Sequence, residues 1–252
     1  MRINKIVSLL ILFGLLQACY VPVGPDQSQN EKASAVNVQL GIGYMQQNNL
    51  DLANEKLSKA INQDPESAPA HNAYAILQDR LLQTEKAEYH YEKATTLDPK
   101  NSQAANNYGA FLCRHGRERE SEKYFLQALK NPLYSTPEFA YTNAALCLMQ
   151  VGEPGETVKA KEYLRKAIAA KNDFGPALLA MGNLLFDEGE YTAAKPYLDR
   201  FHLVAKPTAG SLWLAIRNTL QIDGQGDVTE LAQRLGVEFP DSKEYKSWLS
   251  IQ

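Results

Sequence analysis

The chain has 252 residues, which is enough for one or two globular domains or for one elongated array of repeats. Its content of 44% hydrophobic and 22% charged residues is ordinary for a folded protein and argues against wholesale disorder or a polytopic membrane protein. A formal net charge of −3 offers no basic field to a polyphosphate and disfavours nucleic-acid binding. The three Cys and four His form no CxxC, HExxH or Cys/His cluster, so we expect no metal site.

Residues 1–18 have the layout of a secretory signal peptide. Two cations, Arg2 and Lys5, precede an apolar run over residues 6–16. As a helix this run would be ~16 Å long, roughly half of a ~30 Å hydrocarbon core, so it is too short for a settled transmembrane helix. The sequence therefore predicts export.

The apolar run ends in Leu-Gln-Ala-Cys, which resembles a bacterial lipobox, although Gln17 departs from the usual small or aliphatic residue. The resemblance implies that Cys19 is lipidated and becomes the first mature residue, and that Tyr20 after it favours the outer membrane. An ordinary cleaved signal with an incidental Cys is the alternative. The stretch 21–33 has two Pro, one Gly and mostly polar residues, so we expect residues 19–33 to form a flexible tether.

A period of 34 residues organises the rest of the chain. Residue types repeat at this spacing in four positional series, which are Gly41/Ala75/Gly109, Ala53/Ala87/Ser121, Leu57/Tyr91/Phe125 and Ala60/Ala94/Ala128. This is the tetratricopeptide period, and the chain resembles that family in units 34–67, 68–101 and 102–135. Each unit reads as two helices whose small residues permit close approach. Asp64-Pro65 and Asp98-Pro99 should end second helices, because a residue before Pro is pushed out of the α region.

Later units are less regular. Unit four has a turn over residues 151–156 that is three residues longer than in its neighbours, and we expect it to project as a loop. With a fifth unit, the repeats cover residues 34–208, and residues 209–252 fit a degenerate sixth unit and a short last helix capped by Asp241-Ser242. The predicted fold is all-α, a tetratricopeptide superhelical solenoid of about six helix-turn-helix repeats with a C-terminal capping helix.

The repeat resemblance assigns the first helix of each unit to a concave wall, with unit positions 2, 5, 9, 12 and 13 facing a groove. In unit one, positions 5, 9 and 12 are Val38, Ile42 and Met45, an apolar stripe that we expect the core not to require. An exposed apolar stripe indicates a partner segment; the alternative is that the protein's own tether or linker folds over it.

Asparagines continue the predicted groove through units two to four. They are Asn72, Asn106, Asn107 and Asn143. An amide can both donate to and accept from an extended peptide backbone, although these residues could also be helical for local reasons. Chaperone-tail clamps of some tetratricopeptide proteins carry Lys and Arg where this chain has Val38, Asn72 and Asn106, which argues against such a ligand.

No set of residues predicts catalysis, a cofactor or a small-molecule substrate. The four His are scattered, at positions 71, 90, 115 and 202, and each is expected to be solvated or half-buried. Cys113 and Cys147 fall on the first helices of units three and four. In an exported protein this placement favours a disulfide, with two separately buried thiols as the alternative.

The signal with lipobox, the tether, the six units, the paired Cys and the ending Arg234–Tyr245 together resemble the PilF/PilW family of type IV pilus biogenesis lipoproteins. The resemblance implies a pilotin, lipid-anchored on the periplasmic face of the outer membrane. Such a protein binds the pilus secretin and brings it there to assemble, without catalysis. A different outer-membrane tetratricopeptide adaptor, for barrel assembly or envelope hydrolases, is the alternative.

Overall fold

Thirteen α-helices make up the regular structure of the residues that the computed structural model describes, which are 25–223 and 227–251. No strand occurs within those two stretches. In chain order the helices are α1 (Pro25–Gln46), α2 (Leu50–Gln63), α3 (Ala68–Arg80), α4 (Thr84–Leu97), α5 (Ser102–Arg114), α6 (Glu118–Leu129), α7 (Pro137–Val151), α8 (Pro154–Ala170), α9 (Gly175–Asp187), α10 (Tyr191–Val204), α11 (Ala209–Asp223), α12 (Thr229–Glu238) and α13 (Lys243–Leu249).

Consecutive helices pair into six helix-turn-helix units, from α1 with α2 to α11 with α12, and α13 packs against the last pair. Each odd-numbered helix up to α9 also contacts the first helix of the next unit, so the six first helices lie side by side as one wall. The predicted all-α tetratricopeptide solenoid with a C-terminal capping helix is confirmed.

Small residues allow the two helices of a unit to approach closely. A Cβ added to Gly41 would lie 2.5 Å from Leu57 Cγ, and one added to Gly109 would lie 2.8 Å from Phe125 Cε1. Real carbon atoms do not approach this closely, so a small residue is required at both positions. The opposing side chain is the large one sixteen residues later. Ala53, a small residue of another repeat series, is fully buried as well.

Several helix ends follow from local chemistry that the sequence predicts. Helix α2 ends before Asp64 and α4 ends before Asp98, each of which is followed by Pro. The Asn101 side chain accepts a hydrogen bond from the Ala104 N–H at the start of α5, and Ser242 caps α13 in the same way. Short-range hydrogen bonds and proline sterics therefore set the unit boundaries.

The structure differs from the sequence prediction at the start of the first unit. Helix α1 begins at Pro25, so residues 25–33, expected to belong to a flexible tether, form its first turns. Proline is well suited to the first helical position because its missing N–H would have no intrahelical partner there. The side chains over 27–33 are mostly exposed, which explains why no apolar pattern marked this extension.

The predicted loop in unit four is wrong. Only Gly152 and Glu153 separate α7 from α8, and the extra residues lengthen these helices to 15 and 17 residues. Gly152 has a φ of +72°, which ends α7 in the left-handed conformation that glycine tolerates best. Pro154 starts α8 at once, because its fixed φ suits the first helical turn.

Candidate functional site

The groove wall formed by the first helices of units one to three carries most of the predicted binding residues. A depression of about 440 Å³ lies between α1, α3 and the N-terminal part of α5. Its lining includes five of the predicted residues, which are Val38, Ile42, Met45, Asn72 and Asn107. The structure therefore brings the predicted apolar stripe and two of the predicted amides to one place.

The apolar floor of this depression belongs partly to the core. Val38 is 7% exposed and Met45 is 5% exposed, and both pack with Ala73 and Leu77 of α3. The prediction that the core does not require the stripe is therefore wrong for Val38 and Met45, because α3 packs across that face of α1. Ile42 is 38% exposed and is the side chain of the stripe that remains open to a partner.

The predicted amides form hydrogen bonds between neighbouring first helices. Asn107 Nδ2 donates to Asn72 Oδ1 over 3.1 Å, and Asn143 Nδ2 donates to Asn106 Oδ1 over 3.0 Å. Asn106 is only 4% exposed, so it links neighbouring helices inside the wall. The prediction that it faces the groove is therefore wrong. Asn72 and Asn107 are half-buried in the depression and keep N–H groups for a bound peptide.

Two arginines that sequence reasoning missed lie along the same wall. Arg80 Nη1 donates to the Met45 carbonyl over 3.0 Å, and Arg114 Nη2 donates to Asp79 Oδ2 over 2.5 Å. A second depression, of about 380 Å³, shares Ile76 and Arg80 with the first, so the groove continues along α3 and α5. Arg80 occupies position 13 of unit two, which is a groove position in the repeat family. That position was the sequence signal from which its place in the groove could have been predicted.

Cys113 and Cys147 lie near the C-terminal ends of α5 and α7, the first helices of units three and four. Their Cα atoms are 5.8 Å apart, within the range that a disulfide spans, and the structure joins the two sulfurs. Both residues are buried. The bond would fasten the first helices of units three and four to each other, in addition to the hydrogen bond between Asn143 and Asn106.

Two histidines meet inside unit two, a pairing that the sequence did not predict. His71 Nδ1 lies 2.8 Å from His90 Nδ1, and His71 Nε2 lies 3.0 Å from the Pro65 carbonyl oxygen. Burial lowers the pKa of His71, and burial followed by repulsion from His71 lowers the pKa of His90 to about 4. Over residues 25–223 and 227–251, no group of three or more His, Cys, Asp or Glu could hold a metal ion.

The predicted lipidation site, Cys19, lies outside the described residues, as does the signal over residues 1–18. Among the helices from α1 to α13, none combines the length and apolar character needed to cross a bilayer.

Comparison with known protein families agrees with the fold. The tetratricopeptide repeat family matches residues 90–123, which run from the middle of α4 to the middle of α6. The helix pairs and the groove along their first helices define a tetratricopeptide repeat protein, a class whose stacked units present extended binding surfaces to other proteins.

Individual relatives narrow the class to a family. The Pseudomonas aeruginosa protein named type IV pilus assembly protein PilF is 32% identical to this chain over 227 residues, covering 90% of this chain and 88% of the relative. A structure from a functional characterization of Pseudomonas aeruginosa pilF superposes with a TM-score of 0.79 at 30% identity, covering 89% of this chain and 100% of that one. The crystal structure of PilW, a widely conserved type IV pilus biogenesis factor, gives a TM-score of 0.78 at 28% identity, covering 86% and 98%. The chain belongs to the PilF family of tetratricopeptide proteins of type IV pilus biogenesis.

Proposed function

We propose that this chain is a pilotin. It binds the secretin of the type IV pilus and promotes the localisation and multimerisation of that secretin in the outer membrane, on which pilus biogenesis and twitching motility depend. A lipid on Cys19 anchors it to the periplasmic face of that membrane. The family supports this proposal, since the Pseudomonas aeruginosa relative is named a type IV pilus assembly protein.

The observation that carries the proposal is the groove at unit one. Ile42 stands exposed beside Ile76, while Asn72 and Asn107 line the same depression with free hydrogen-bonding capacity. An apolar anchor flanked by amides suits a protein segment that buries one apolar side chain and forms hydrogen bonds between its backbone and the amides. Unit one is also the unit nearest to Cys19 in the chain, so a segment docked there would be held close to the membrane.

Binding without turnover is the mode of action that we propose. The thiols of Cys113 and Cys147 are used in the bond between them, and His71 and His90 hydrogen-bond to each other inside unit two. Neither pair offers a nucleophile and base to a substrate in the groove.

The location of the secretin in a strain lacking this protein tests the proposal. We expect the secretin to be lost from the outer-membrane fraction, and its ring multimers to disappear, while its total amount changes less. Restoring the gene should restore both. Unchanged localisation and multimerisation of the secretin in the deletion strain would contradict the proposed pilotin function.

The anchor is tested separately with Cys19→Ala. The repeats bury their core without a lipid, so the variant should fold with an unchanged melting temperature but leave the membrane fraction. A Cys113→Ala/Cys147→Ala protein is the control, since it removes the other two cysteines together, leaves no new free thiol and should remain membrane-bound. Tight outer-membrane association of the Cys19→Ala protein would contradict lipid anchoring at that residue.

A tetratricopeptide adaptor for barrel assembly or for envelope hydrolases is the second candidate, favoured by the general scaffold architecture of the wall. Capture of partners from solubilised membranes separates the two candidates. A pilotin should retain the secretin, whereas the alternative should retain a barrel-assembly component or a peptidoglycan-cleaving enzyme.

A further inference from the structure

Among the described residues, Arg80 lacks the acidic partner that the equivalent arginine of the next repeat, Arg114, has. Arg80 ends α3 and Arg114 ends α5, and the two residues are one 34-residue period apart. Arg114 pairs with Asp79 of the preceding unit at 2.5 Å. One period before Asp79 the chain has Met45, so Arg80 faces an apolar residue and donates to its backbone carbonyl instead.

No acidic residue forms an ion pair with Arg80 within 4.0 Å in the described part of the chain. The lining of the 440 Å³ depression contains no Asp or Glu, and the acidic residue that lines the adjoining 380 Å³ depression is Asp79. Asp79, the nearest acidic residue in sequence, is held by Arg114 and lies 3.4 Å from His115 Nε2. A guanidinium carries five N–H donors, and only one of them is used by Met45.

We infer that Arg80 selects a partner segment in which an acidic side chain lies next to apolar ones, the carboxylate on Arg80 and the apolar groups on Ile42 and Ile76. The inference deepens the proposed function and rests on its assignment of this groove as the docking surface. A carboxylate matches the planar guanidinium in a two-bond geometry, which gives specificity in addition to affinity. The apolar floor beside Arg80 excludes water and strengthens the pair.

The groove favours an internal acidic side chain over a terminal carboxylate. Beyond Arg80 the depression along α3 and α5 continues past Ile76 to Ala110 and Arg114. A bound segment that lay on Ile42 and ended at Arg80 would leave this second part empty. A segment that passes Arg80 fills both parts.

A displayed library of random 12-residue peptides, blocked at the carboxy terminus, tests the inference on the purified full-length mature protein. We expect the selected peptides to share an Asp or Glu next to two apolar residues. Changing that acidic residue to its amide should weaken binding to the wild-type protein by at least about tenfold, as for a hydrogen-bonded charge pair.

Arg80→Gln tests whether Arg80 causes the preference for the acidic peptide, because Gln removes the charge but can still donate towards the Met45 carbonyl. The variant should bind the acidic and the amide peptide equally, whereas Arg119→Gln, which changes an 80% exposed arginine paired with Glu153, should behave as wild type. If Arg80→Gln lowers the melting temperature, Arg80→Lys with the same two peptides replaces it and should keep part of the acid preference. Raising the salt from 50 to 500 mM should weaken only the acidic peptide.

Three results would overturn the inference. They are an acid preference that survives in Arg80→Gln, selected peptides without an acidic residue, and an absence of any selected peptide. Because the library does not contain the secretin by design, these outcomes are independent of whether the secretin binds.

Discussion

The Nδ1 atom of His71 lies 2.8 Å from the Nδ1 atom of His90, and this contact joins the two helices of unit two. His71 Nε2 faces the Pro65 carbonyl at 3.0 Å and must donate to it, so His71 Nδ1 is the acceptor and His90 Nδ1–H the donor. The pair can hold one extra proton, on His90 Nε2, but a second would place an N–H group on both of the facing Nδ1 atoms. Tyr74 and Tyr89 place ring edges against His90 and help to keep water away.

The lowered pKa of His90 predicts that the free energy of unfolding falls as the pH decreases. The pKa of His90 is lowered from about 6.5 in the unfolded chain to about 4 in the fold, mainly by burial. The unfolded state therefore takes up a proton first, and the contribution of His90 to stability is present above pH 6.5 and is lost as the pH falls towards 4. The loss is at most about 1.4 kcal/mol per pH unit for one proton.

Thermal unfolding between pH 7.5 and 4.5 measures this effect. His90→Gln keeps an N–H that can donate to His71 and does not titrate, so its melting temperature should depend less on pH than that of the wild type. Equal pH slopes for the two proteins would contradict the assignment to His90.

Two glycines of α1 should respond to alanine in opposite directions. At Gly41 the new methyl meets Leu57 Cγ at 2.5 Å, so Gly41→Ala should lower the free energy of unfolding by ~1–3 kcal/mol. At Gly43 nothing lies within 4 Å, so Gly43→Ala should raise it by ~0.5–1 kcal/mol through helix propensity alone. Urea denaturation of both variants compares them directly, and a rise in the free energy of unfolding of Gly41→Ala would show that the close approach of α1 and α2 does not limit residue size there.

The link between Cys113 and Cys147 should stabilise the native protein. It closes a loop with a sequence separation of 34, for which the chain-entropy relation gives ~3–4 kcal/mol. A reducing agent should therefore lower the melting temperature of the wild type but leave a Cys113→Ala/Cys147→Ala protein unchanged. Titration of denatured, unreduced protein in the Cys19→Ala background should find no free thiol. Two free thiols would mean that the cysteines are buried separately.

Ile42→Asp should weaken docking in the groove without unfolding the protein. The side chain is 38% exposed, so the charge is tolerated in the free protein, but a partner would have to desolvate it. Loss of a central anchor costs ~2 kcal/mol or more, which is about a thirtyfold loss of affinity for the secretin. Met45→Asp is unsuitable for this test because Met45 lies in the core.

Val158→Asp is the matched control for Ile42→Asp, since Val158 is an exposed apolar residue of α8 outside the groove lining. It should bind the secretin as the wild type does. If Ile42→Asp retained its circular dichroism, its melting temperature and its affinity, the contact surface would lie elsewhere, most directly at Asn72 and Asn107.

Much of the architecture could be predicted because it depends on local chemistry. Asp-Pro pairs at 64–65 and 98–99 end helices through the sterics of adjacent residues. The Ser242 hydroxyl caps α13 by accepting a hydrogen bond from the Tyr245 N–H, three residues later. Gly41 and Gly109 recur at the repeat period because each must admit a large side chain of the paired helix. These signals lie within one unit and can be read from the sequence.

The functional surface depended on how the units stack. The sequence by itself determined the helix pairs, their period and the helix on which each candidate residue lies. Only the tertiary structure decided that α3 buries Val38 and Met45 while Ile42 stays open, that Asn106 pairs with Asn143 inside the wall, and that Arg80 faces Met45. The physical reason is that these contacts join residues about 35 positions apart on neighbouring helices. A shift of one residue in the stacking of the helices would exchange buried positions for exposed ones, and no local pattern fixes that register.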